Sequence, residues 1–289
     1  RGVNVIADKC LFANNSSDES ASGSSKGGGA IGTTGSGGSF LFTNCTFYGN
    51  SAALGRGGAI YTGMDCKVIN CTFTGNRAFN GGGFYGHNAG KMYTLINTIC
   101  YNNIDENETG DIRRNNGDFT IYNCLATVVS PALAENFDSN GNILTTPAMK
   151  VFENDAAPEL KDNGGNTLTV ALHATQSMAA KAGIATAPAG IDVTIPTVDQ
   201  RGYTRAAKPC MGAFELGGIE PVGIQTATAD AKFNYSVEKG RLVIAESGEC
   251  RIFNMLGAKI TELTINGSAP INLESGIYIV RFMNEAGTS

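Results

Sequence analysis

The chain has 289 residues, of which 42% are hydrophobic, so it can form a sizeable core in one large domain or two ordinary ones. Only 16% of the residues are charged, 38 are Gly, and the net charge is −5. This composition excludes a mainly helical protein, and because the longest Lys/Arg cluster is Arg113–Arg114 we expect no nucleic-acid partner. No apolar run approaches the ~18 residues of a membrane-spanning helix, so we also expect no transmembrane span.

The first predicted strand lies in "GVNVIADKCLF", directly after Arg1. No signal peptide precedes this strand, and we therefore expect the chain to begin inside a longer or processed protein. The polar stretch "SSDESASGSSK" at 16–26 follows, and it is too rich in Ser and Gly to pack into a core.

A repeat sets the spacing of the next strands. "NCTFYGN" at 44–50 and "NCTFTGN" at 70–76 agree at six of seven positions and lie 26 residues apart. The same phase recurs at Asn97 and Asn123, and earlier at Lys9. A second Asn and a Gly-rich segment follow each strand: these are Asn15, Asn50, Asn76 and Asn103, and the segments 27–31, 57–61, 81–85 and, in degenerate form, 109–112.

A unit of about 26 residues with two or three short strands and no helical periodicity is typical of one coil of a parallel β-helix. Equivalent positions of successive coils then lie above one another, about 4.8 Å apart. We therefore predict an all-β fold in which the strands beginning near Lys9, Asn44, Asn70, Asn97 and Asn123 stack in register as one parallel sheet. Asn amides can hydrogen-bond from coil to coil in such a stack.

Alternation along the repeat strand predicts which residues face the core. It places Cys71 and Phe73 on the core face, together with Ile69. Two stacked columns follow from the repeat: Cys10, Cys45, Cys71 and Cys124 with Thr98 in the gap, and Phe12, Phe47 and Phe73 continued by Cys100.

The eight cysteines allow a disulfide framework or buried free thiols. Their spacing favours free thiols in a dry core for the four column members, and it leaves Cys66, Cys210 and Cys250 unassigned. We expect Cys71→Ser to cost about 1–3 kcal/mol, from a buried hydroxyl without a partner.

The repeat, with F-x-x-N followed by "GGAI", resembles that of polymorphic outer-membrane and autotransporter-like β-helix proteins. The stretches "PELKDNGGNTLTVALHATQSMAAKAG" (158–183) and "VDQRGYTRAAKPCMGAFE" (198–215) resemble the tail of the bacterial choice-of-anchor surface proteins. The resemblance covers roughly residues 8–215. It implies a right-handed parallel β-helix, similar to that of pectate lyases, at a Gram-negative cell surface, and it implies no known reaction.

The end of the chain changes in composition. Residues 218–230 are predicted to be a linker, followed by a β-sandwich of about 60 residues built of short alternating strands. "IFNMLGAKI" and "LESGIYIVRF" in this region resemble the C-terminal sorting domain of the Por (type IX) secretion system. The predicted domains are β-helix coils at 1–150, last coils and a cap at 151–217, a linker at 218–230 and the sorting-like domain at 231–289. We expect Asp199 or Glu215 to pair with Arg201 or Arg205 and so close the last coils.

Candidate chemistry concentrates in "DENETGDIRRNNGD" at 105–118. Its charged residues are Asp105, Glu106, Glu108, Asp111, Asp118, Arg113 and Arg114. They could serve a lyase, a hydrolase or a calcium site, but a solvated loop between coils is the interpretation that we prefer.

Other candidate residues carry weaker indications of function. His87 and His173 have no partner at a recognisable spacing, and no CxxC pair could hold zinc. The pairs Tyr48/Tyr101 and Tyr61/Tyr85 could stack on sugar rings, although packing between strands is the simpler reading. We therefore predict no catalytic, cofactor or metal residues and no cofactor, and the sequence does not identify ligand-binding residues.

Three functions remain open at this point. The first is a non-catalytic, secreted or cell-surface β-helix protein that is adhesin-like or binds surface glycans. The second is a stalk or passenger of a larger surface protein. The third is a polysaccharide lyase or glycoside hydrolase. We favour the first, as a monomer on a Gram-negative bacterium, without hydrolase or lyase activity.

Overall fold

Short parallel strands wound into successive coils account for most of the first part of the chain. The computed structural model describes residues 3–17, 27–107, 110–220, 235–238, 241–254, 259–273 and 278–284. The chain divides into two compact units, Arg1–Glu220 and Pro221–Ser289.

Among the described residues of the first unit, the coils contain 18 strands, β1 to β18, and two short helices. The first coil contains β1 (Val3–Asp8), β2 (Leu11–Ala13) and β3 (Ile31–Thr33). The second contains β4 (Gly38–Thr43), β5 (Thr46–Tyr48), β6 (Ser51–Arg56) and β7 (Ile60–Thr62). The third contains β8 (Asp65–Ile69), β9 (Thr72–Thr74), β10 (Arg77–Asn80) and β11 (Phe84–Gly86). The fourth contains β12 (Met92–Ile96), β13 (Ile99–Cys100), β14 (Ile104–Asp105) and β15 (Ile112–Arg114). The last contains β16 (Asp118–Tyr122), β17 (Leu125–Ala126), a 3-10 helix (Pro131–Leu133), helix α1 (Ala134–Phe137) and β18 (Ile143–Leu144).

Stacking of the coils produces four parallel sheets. Sheet A contains β1, β4, β8, β12 and β16, and sheet B contains β2, β5, β9, β13, β17 and β18. Sheet C contains β6, β10 and β14, and sheet D contains β3, β7, β11 and β15. In sheet B, Thr46 pairs with Thr72, which pairs with Ile99 of the next coil. The predicted in-register parallel stack, and with it the parallel β-helix, is confirmed.

A left-handed residue separates sheet A from sheet B in every coil. Asn44, Asn70, Asn97 and Asn123 have φ angles of 49°, 51°, 50° and 48°, and Lys9 has 56°. Asn adopts this conformation more readily than most residues, which explains the recurring Asn. The turn also interrupts the alternation of side chains, so Ile69 faces outward and packs with Ile96 and Ile195. The prediction that Ile69 lies on the core face was therefore wrong.

The predicted Phe and Cys columns line the core. The rings of Phe12 and Phe47 stack at 4.7 Å, those of Phe47 and Phe73 at 4.5 Å, and Cys100 pairs with Phe73 in the next coil. Every cysteine of the chain is a free thiol, and all are buried except the half-buried Cys10. Burial raises the pKa of Cys100 and raises that of Cys124 to about 12, so these thiols stay protonated.

A second Asn column forms a hydrogen-bonded ladder between the coils. The side-chain amides of Asn15, Asn50 and Asn76 each donate to the Oδ1 atom of the next Asn, at 2.8, 2.9 and 2.8 Å. The backbone N–H of each residue donates to the same oxygen, at 3.1, 3.0 and 3.1 Å. The ladder thus satisfies buried polar groups that a turn inside the solenoid would otherwise leave unpaired.

Two different segments cover the solenoid after the last coil. Leu133 and Phe137, from the two short helices, join the core cluster below β16. Residues 151–217, expected as last coils and cap, contribute no strand to the four sheets. They pack on the outward side of sheet B, where Phe152, Leu172 and Phe214 surround Ile99 and Leu125.

The second unit contains an antiparallel sheet. Its strands are β19 (Tyr235–Glu238), β20 (Arg241–Phe253), β21 (Lys259–Pro270) and β22 (Ile279–Asn284). The other three strands all pair with β20, and Ile252, Ile265 and Phe282 belong to its core. The predicted all-β C-terminal region is confirmed, but its described strands form one antiparallel sheet, without the second sheet that the predicted β-sandwich requires. Most of the predicted linker, and parts of "IFNMLGAKI" and "LESGIYIVRF", lie outside the described residues.

Candidate functional site

The acidic segment 105–118 does not form a solvated loop throughout. Asp111 is 2% exposed, and its Oδ1 atom accepts hydrogen bonds from the backbone and side-chain nitrogens of Asn103, at 3.0 and 2.8 Å. Its Oδ2 atom accepts the backbone N–H groups of Thr127 and Val128, at 2.8 and 3.1 Å. Burial raises the pKa of Asp111 to about 6, although these hydrogen bonds lower it. Asp111 thus terminates the Asn ladder, and the solvated-loop prediction is wrong at this residue.

The other described charges of the segment are engaged locally. Asp105 accepts the backbone N–H of Gly81 at 2.7 Å. Glu106 pairs with Arg77, and Asp118 lies 3.9 Å from Arg114. Each carboxylate therefore has its own neighbour, and the four described acids do not share one site.

Two buried ion pairs hold the segment 198–215. Asp199 pairs with Arg201 at 2.7 Å, and Glu215 pairs with Arg205 at 3.2 Å. The guanidinium group of Arg201 also lies over the rings of Tyr203 and Phe214, 4.1 and 3.8 Å from their centroids. The structure thus confirms the predicted pairing of Asp199 and Glu215 with Arg201 and Arg205.

The same segment is tied to the solenoid by side chains of the repeat. Arg205 donates from Nη2 to Oδ1 of Asn44 at 2.9 Å, and Thr46 donates its hydroxyl to Oε1 of Gln200. The backbone N–H of Ala213 donates to Oγ1 of Thr72 at 2.9 Å. The "DQRG" and "GAFE" motifs therefore have a structural role, which fixes residues 198–215 against sheet B.

The predicted tyrosine pairs serve packing. The hydroxyl of Tyr48 donates to the carbonyl oxygen of Pro158 at 2.9 Å, and the ring of Tyr101 contacts Phe152. Tyr61 and Tyr85 pair in register on the outward side of sheet D, with ring centroids 5.5 Å apart, but they are only 1% and 2% exposed. Tyr61 and Tyr85 therefore offer no open ring face on which a sugar could stack, and Tyr48 and Tyr101 are partly buried against the segment after the last coil.

The two histidines have separate surroundings. His173 accepts backbone N–H groups of Thr175 and Gln176 at its Nδ1 atom, which is a turn interaction. His87 lies beside the tyrosine pair, with its ring centroid 5.1 Å from that of Tyr61. Burial, with a contribution from Arg56, lowers the pKa of His87. The structure therefore places only His87 in a cluster with other polar residues.

An open groove crosses the outward side of sheet A. Its volume is about 610 Å³. Its lining combines apolar and polar side chains, among them Asn4, Ile6, Ser39, Leu41, Lys67 and Met92. Segment 184–195 packs beside it on Ile69 and Ile96, and Lys67 donates to the backbone carbonyl oxygen of Asp192.

The groove residues are not marked by any motif of the sequence. The only indication was the alternation along the strands that precede the Asn column, which places Ile6, Leu41 and Lys67 in one outward row. Without knowledge of which outward rows the chain later covers, alternation alone does not distinguish a groove from a packed surface.

Neither a metal centre nor a membrane helix emerges from the part of the chain that is described. Within it, no three His, Cys, Asp or Glu residues converge as a metal site would require. No described helix is long and apolar enough to cross a bilayer.

Fold and repeat together define a class of protein, the parallel β-helix built from Asn- and Gly-containing coils. Within this class, residues 44–63 match the family model of the Chlamydia polymorphic membrane protein repeat. The match spans the second coil, from the corner Asn44 to β7. It suggests a surface β-helix protein with a bacterial outer-membrane or surface location. No curated protein and no solved structure matches the chain.

Proposed function

We propose that the protein is a non-catalytic β-helix of the bacterial cell surface that binds a glycan chain along the groove of sheet A. The groove is the observation that carries this proposal. It runs across successive coils, so an extended ligand would meet similar positions at every level.

The chemistry of the groove suits a sugar chain. Asn4 and Ser39 present amide and hydroxyl groups, while Ile6 and Met92 present exposed apolar surface beside them. Sugar rings carry hydroxyl groups on their edges and C–H groups on their faces, and both kinds of contact are available here. The two lysines of the groove also face carboxylates, since Lys91 lies 3.2 Å from Asp65 and Lys67 lies 3.7 Å from Asp192.

A binding role without chemistry follows from the way in which the acids are used. Hydrolysis needs an acid and a base held across one bond. Two acids line the groove: Asp65 accepts the backbone N–H of Met92 at 2.9 Å, and Asp118 lies 3.9 Å from Arg114. Asp111 terminates the Asn ladder elsewhere. These contacts support binding over the lyase or hydrolase alternative.

A pair of matched substitutions tests the groove. Met92 and Leu54 are exposed apolar residues, 56% and 74% exposed, but only Met92 lines the groove. The starting protein is screened on an array of neutral and acidic glycans, and the best ligand is then titrated. We expect Met92→Arg to weaken binding about tenfold, roughly 1.4 kcal/mol, by obstructing the groove, and Leu54→Arg to leave it unchanged. Equal affinities of the two variants would contradict the proposed site.

The C-terminal unit is proposed to be the export module. The assignment to a Por-type sorting domain rests on the resemblance of residues 252–260 and 273–282, and the antiparallel sheet is compatible with it. It carries with it a Gram-negative host and the boundaries 218–230 and 231–289 for linker and domain. Fusion of residues 218–289 to a reporter protein in a bacterium with that secretion system is the test, since the proposal requires export of the reporter.

A further inference from the structure

A cluster of basic side chains lies on sheet D, apart from the groove. Ile60, Phe84 and Ile112 of this sheet belong to the core, so the residues that follow them in the chain point outward. The outward column contains Tyr61, Tyr85 and Arg113 on three successive coils. Registered stacking thus brings together residues that lie up to 52 positions apart in sequence.

Arg56 and His87 complete the cluster. The guanidinium group of Arg56 lies 5.4 Å from the centroid of the Tyr85 ring. The ring of His87 lies 5.1 Å from that of Tyr61 and 6.5 Å from that of Tyr85. Two permanent cations and one imidazole therefore surround two almost fully buried tyrosine rings, and all three basic side chains remain partly exposed.

Two nitrogen atoms of the cluster lack a hydrogen-bond partner among the described residues. They are Nε of Arg113 and Nδ1 of His87, and both atoms are buried. Arg113 also forms no ion pair within the described ranges, whereas the neighbouring Arg114 lies 3.9 Å from Asp118. Buried polar nitrogens are normally satisfied. Nε of Arg113 can only donate, and Nδ1 of His87 also donates once the imidazole is protonated, so the basic cluster calls for an acceptor.

The backbone at Gly81 passes close to these groups and leaves no room for a side chain at that position. Gly81 has a φ angle of +69°, and a Cβ atom at this position would lie 2.9 Å from Cβ of Arg113 and 3.3 Å from the ring of Tyr85. A side chain at residue 81 would therefore displace Arg113 or Tyr85. The glycine of the repeat thus allows the close approach of the loop to the cluster.

We propose that Arg113, His87 and Arg56 bind the carboxylate group of an acidic sugar. A planar guanidinium group matches the two oxygens of a carboxylate, and the imidazole ring supplies a further donor. The tyrosine rings lie behind the basic groups and are almost fully buried, so they keep water from that side of the cluster and strengthen its attraction for a carboxylate. The site lies on a different sheet from the groove and does not depend on the function proposed for the groove.

The two histidines make the test direct, since the chain contains no others. The groups that face His87 are Arg56, Tyr61 and Tyr85, and its backbone N–H donates to the hydroxyl of Tyr93 at 3.1 Å. A bound carboxylate stabilises the imidazolium form and so raises the pKa of His87, which is lowered in the free protein. The pKa values of both histidines are measured by NMR of the imidazole C–H protons, in glucuronate and in glucose at equal ionic strength.

We expect glucuronate to raise the pKa of His87 and to leave His173 unchanged, and we expect glucose to change neither. Arg113→Gln should abolish the effect, while the adjacent Arg114→Gln should retain it. If Arg113→Gln does not fold, Arg56→Gln replaces it and should diminish the rise. An unchanged His87, an equal response of His173, or a full response in folded Arg113→Gln would overturn the proposal. Met92→Arg, which tests the groove, should not alter the response of His87.

Discussion

At the scale of single residues, the Asn ladder shows how a repeat comes to an end. Each Asn donates to the next, so the final member must accept without having to donate. The next repeat position would fall near residue 129, where the sequence has Val129. The carboxylate of Asp111 takes this place and accepts four N–H groups. An acceptor-only group satisfies the end of a directional ladder, which an amide cannot do as well.

Asp111 should make the stability of the protein depend on pH. Its pKa of about 6 in the folded state lies above the ordinary value of 3.8, so the folded state binds the proton more tightly than the unfolded state does. The resulting stabilisation is complete below about pH 4 and is lost as the pH rises through about 6; a shift of about two units corresponds to roughly 3 kcal/mol. Urea unfolding at several pH values measures the free energy of unfolding.

The matched control for this titration is Asp111→Asn, which has no carboxyl group at the site. As the pH rises from about 4 to above 6, we expect the free energy of unfolding to fall less in Asp111→Asn than in the unsubstituted protein. The difference between the two falls should reach about 3 kcal/mol. Parallel curves for the two proteins would contradict a raised pKa at Asp111.

The cysteine column tolerates a hydroxyl better than the sequence indicated. Thr98 occupies the same column, and its hydroxyl donates to the carbonyl oxygens of Val68 and Ile96 at 3.2 and 3.1 Å. The sulfur of Cys71 lies 3.5 and 3.4 Å from the equivalent oxygens of Phe42 and Ile69. A Ser hydroxyl at residue 71 would therefore find a partner, and the expectation that it would have none was wrong.

We predict that Cys71→Ser costs less than about 1 kcal/mol, because the hydroxyl can make the hydrogen bond that Thr98 makes. Cys66→Ser is the contrasting variant. Cys66 is fully buried between Phe40 and Tyr93, and no hydrogen-bond partner for its thiol is present in the described ranges, so we expect about 1–3 kcal/mol. Thermal and urea unfolding compare the two variants, and a larger loss for Cys71→Ser would refute the explanation.

At the scale of elements, the segment 198–215 is fixed to the solenoid by charge that is almost completely removed from water. Arg205 donates to Glu215, to Asn44 and to the carbonyl oxygen of Gly212. A buried cation of this kind is tolerable only while all its partners are present. The ion pairs therefore determine where the segment lies, in addition to any contribution to stability.

We predict that Glu215→Gln destabilises the protein by about 3–5 kcal/mol, because it leaves the charge of Arg205 buried without its counterion. The control is Glu106→Gln, which removes the counterion of Arg77 in a pair whose side chains are 36% and 52% exposed, and should cost less than about 1 kcal/mol. Urea unfolding measures both variants. Similar losses of free energy of unfolding in the two variants would contradict the prediction that the buried pair contributes more than the exposed one.

At the scale of the whole molecule, a parallel solenoid places a small set of side chains above one another on several flat surfaces. On sheet B the outward surface is covered by the chain itself, whereas on sheet A a groove stays open. The open surface suits an extended ligand, and the covered one does not.

We predict that the protein turns over no polysaccharide. The acids that sequence analysis singled out are occupied, Asp111 by the ladder and Asp105 by the backbone of Gly81. The measurement is incubation with acidic and neutral polysaccharides while unsaturated products and reducing ends are followed. Turnover that disappears in Arg113→Ala would contradict this prediction and favour a lyase, whereas turnover that persists would indicate a contaminating enzyme.

The sequence by itself determined the winding of the chain. A spacing of 26 residues, with Asn at the corners and Phe and Cys in fixed phase, is sufficient to predict stacked parallel coils, because a residue that fits one coil fits the next. These contacts join equivalent positions of neighbouring coils, and they therefore appear in the sequence as a periodic pattern. The core columns could be predicted for the same reason, whereas the pairing of Asp199 and Glu215 with arginines was predicted from the need to close the last coils.

Only the tertiary structure decided which surfaces remain open. The outward position of Ile69 follows from the left-handed turn at Asn70, and its burial follows from Ile195, which lies more than a hundred residues later. The groove on sheet A and the basic cluster on sheet D depend in the same way on neighbours from other coils or from the returning segment. Such contacts between non-repeating parts of the chain leave no periodic pattern, and the sequence therefore predicts the scaffold but not the sites on it.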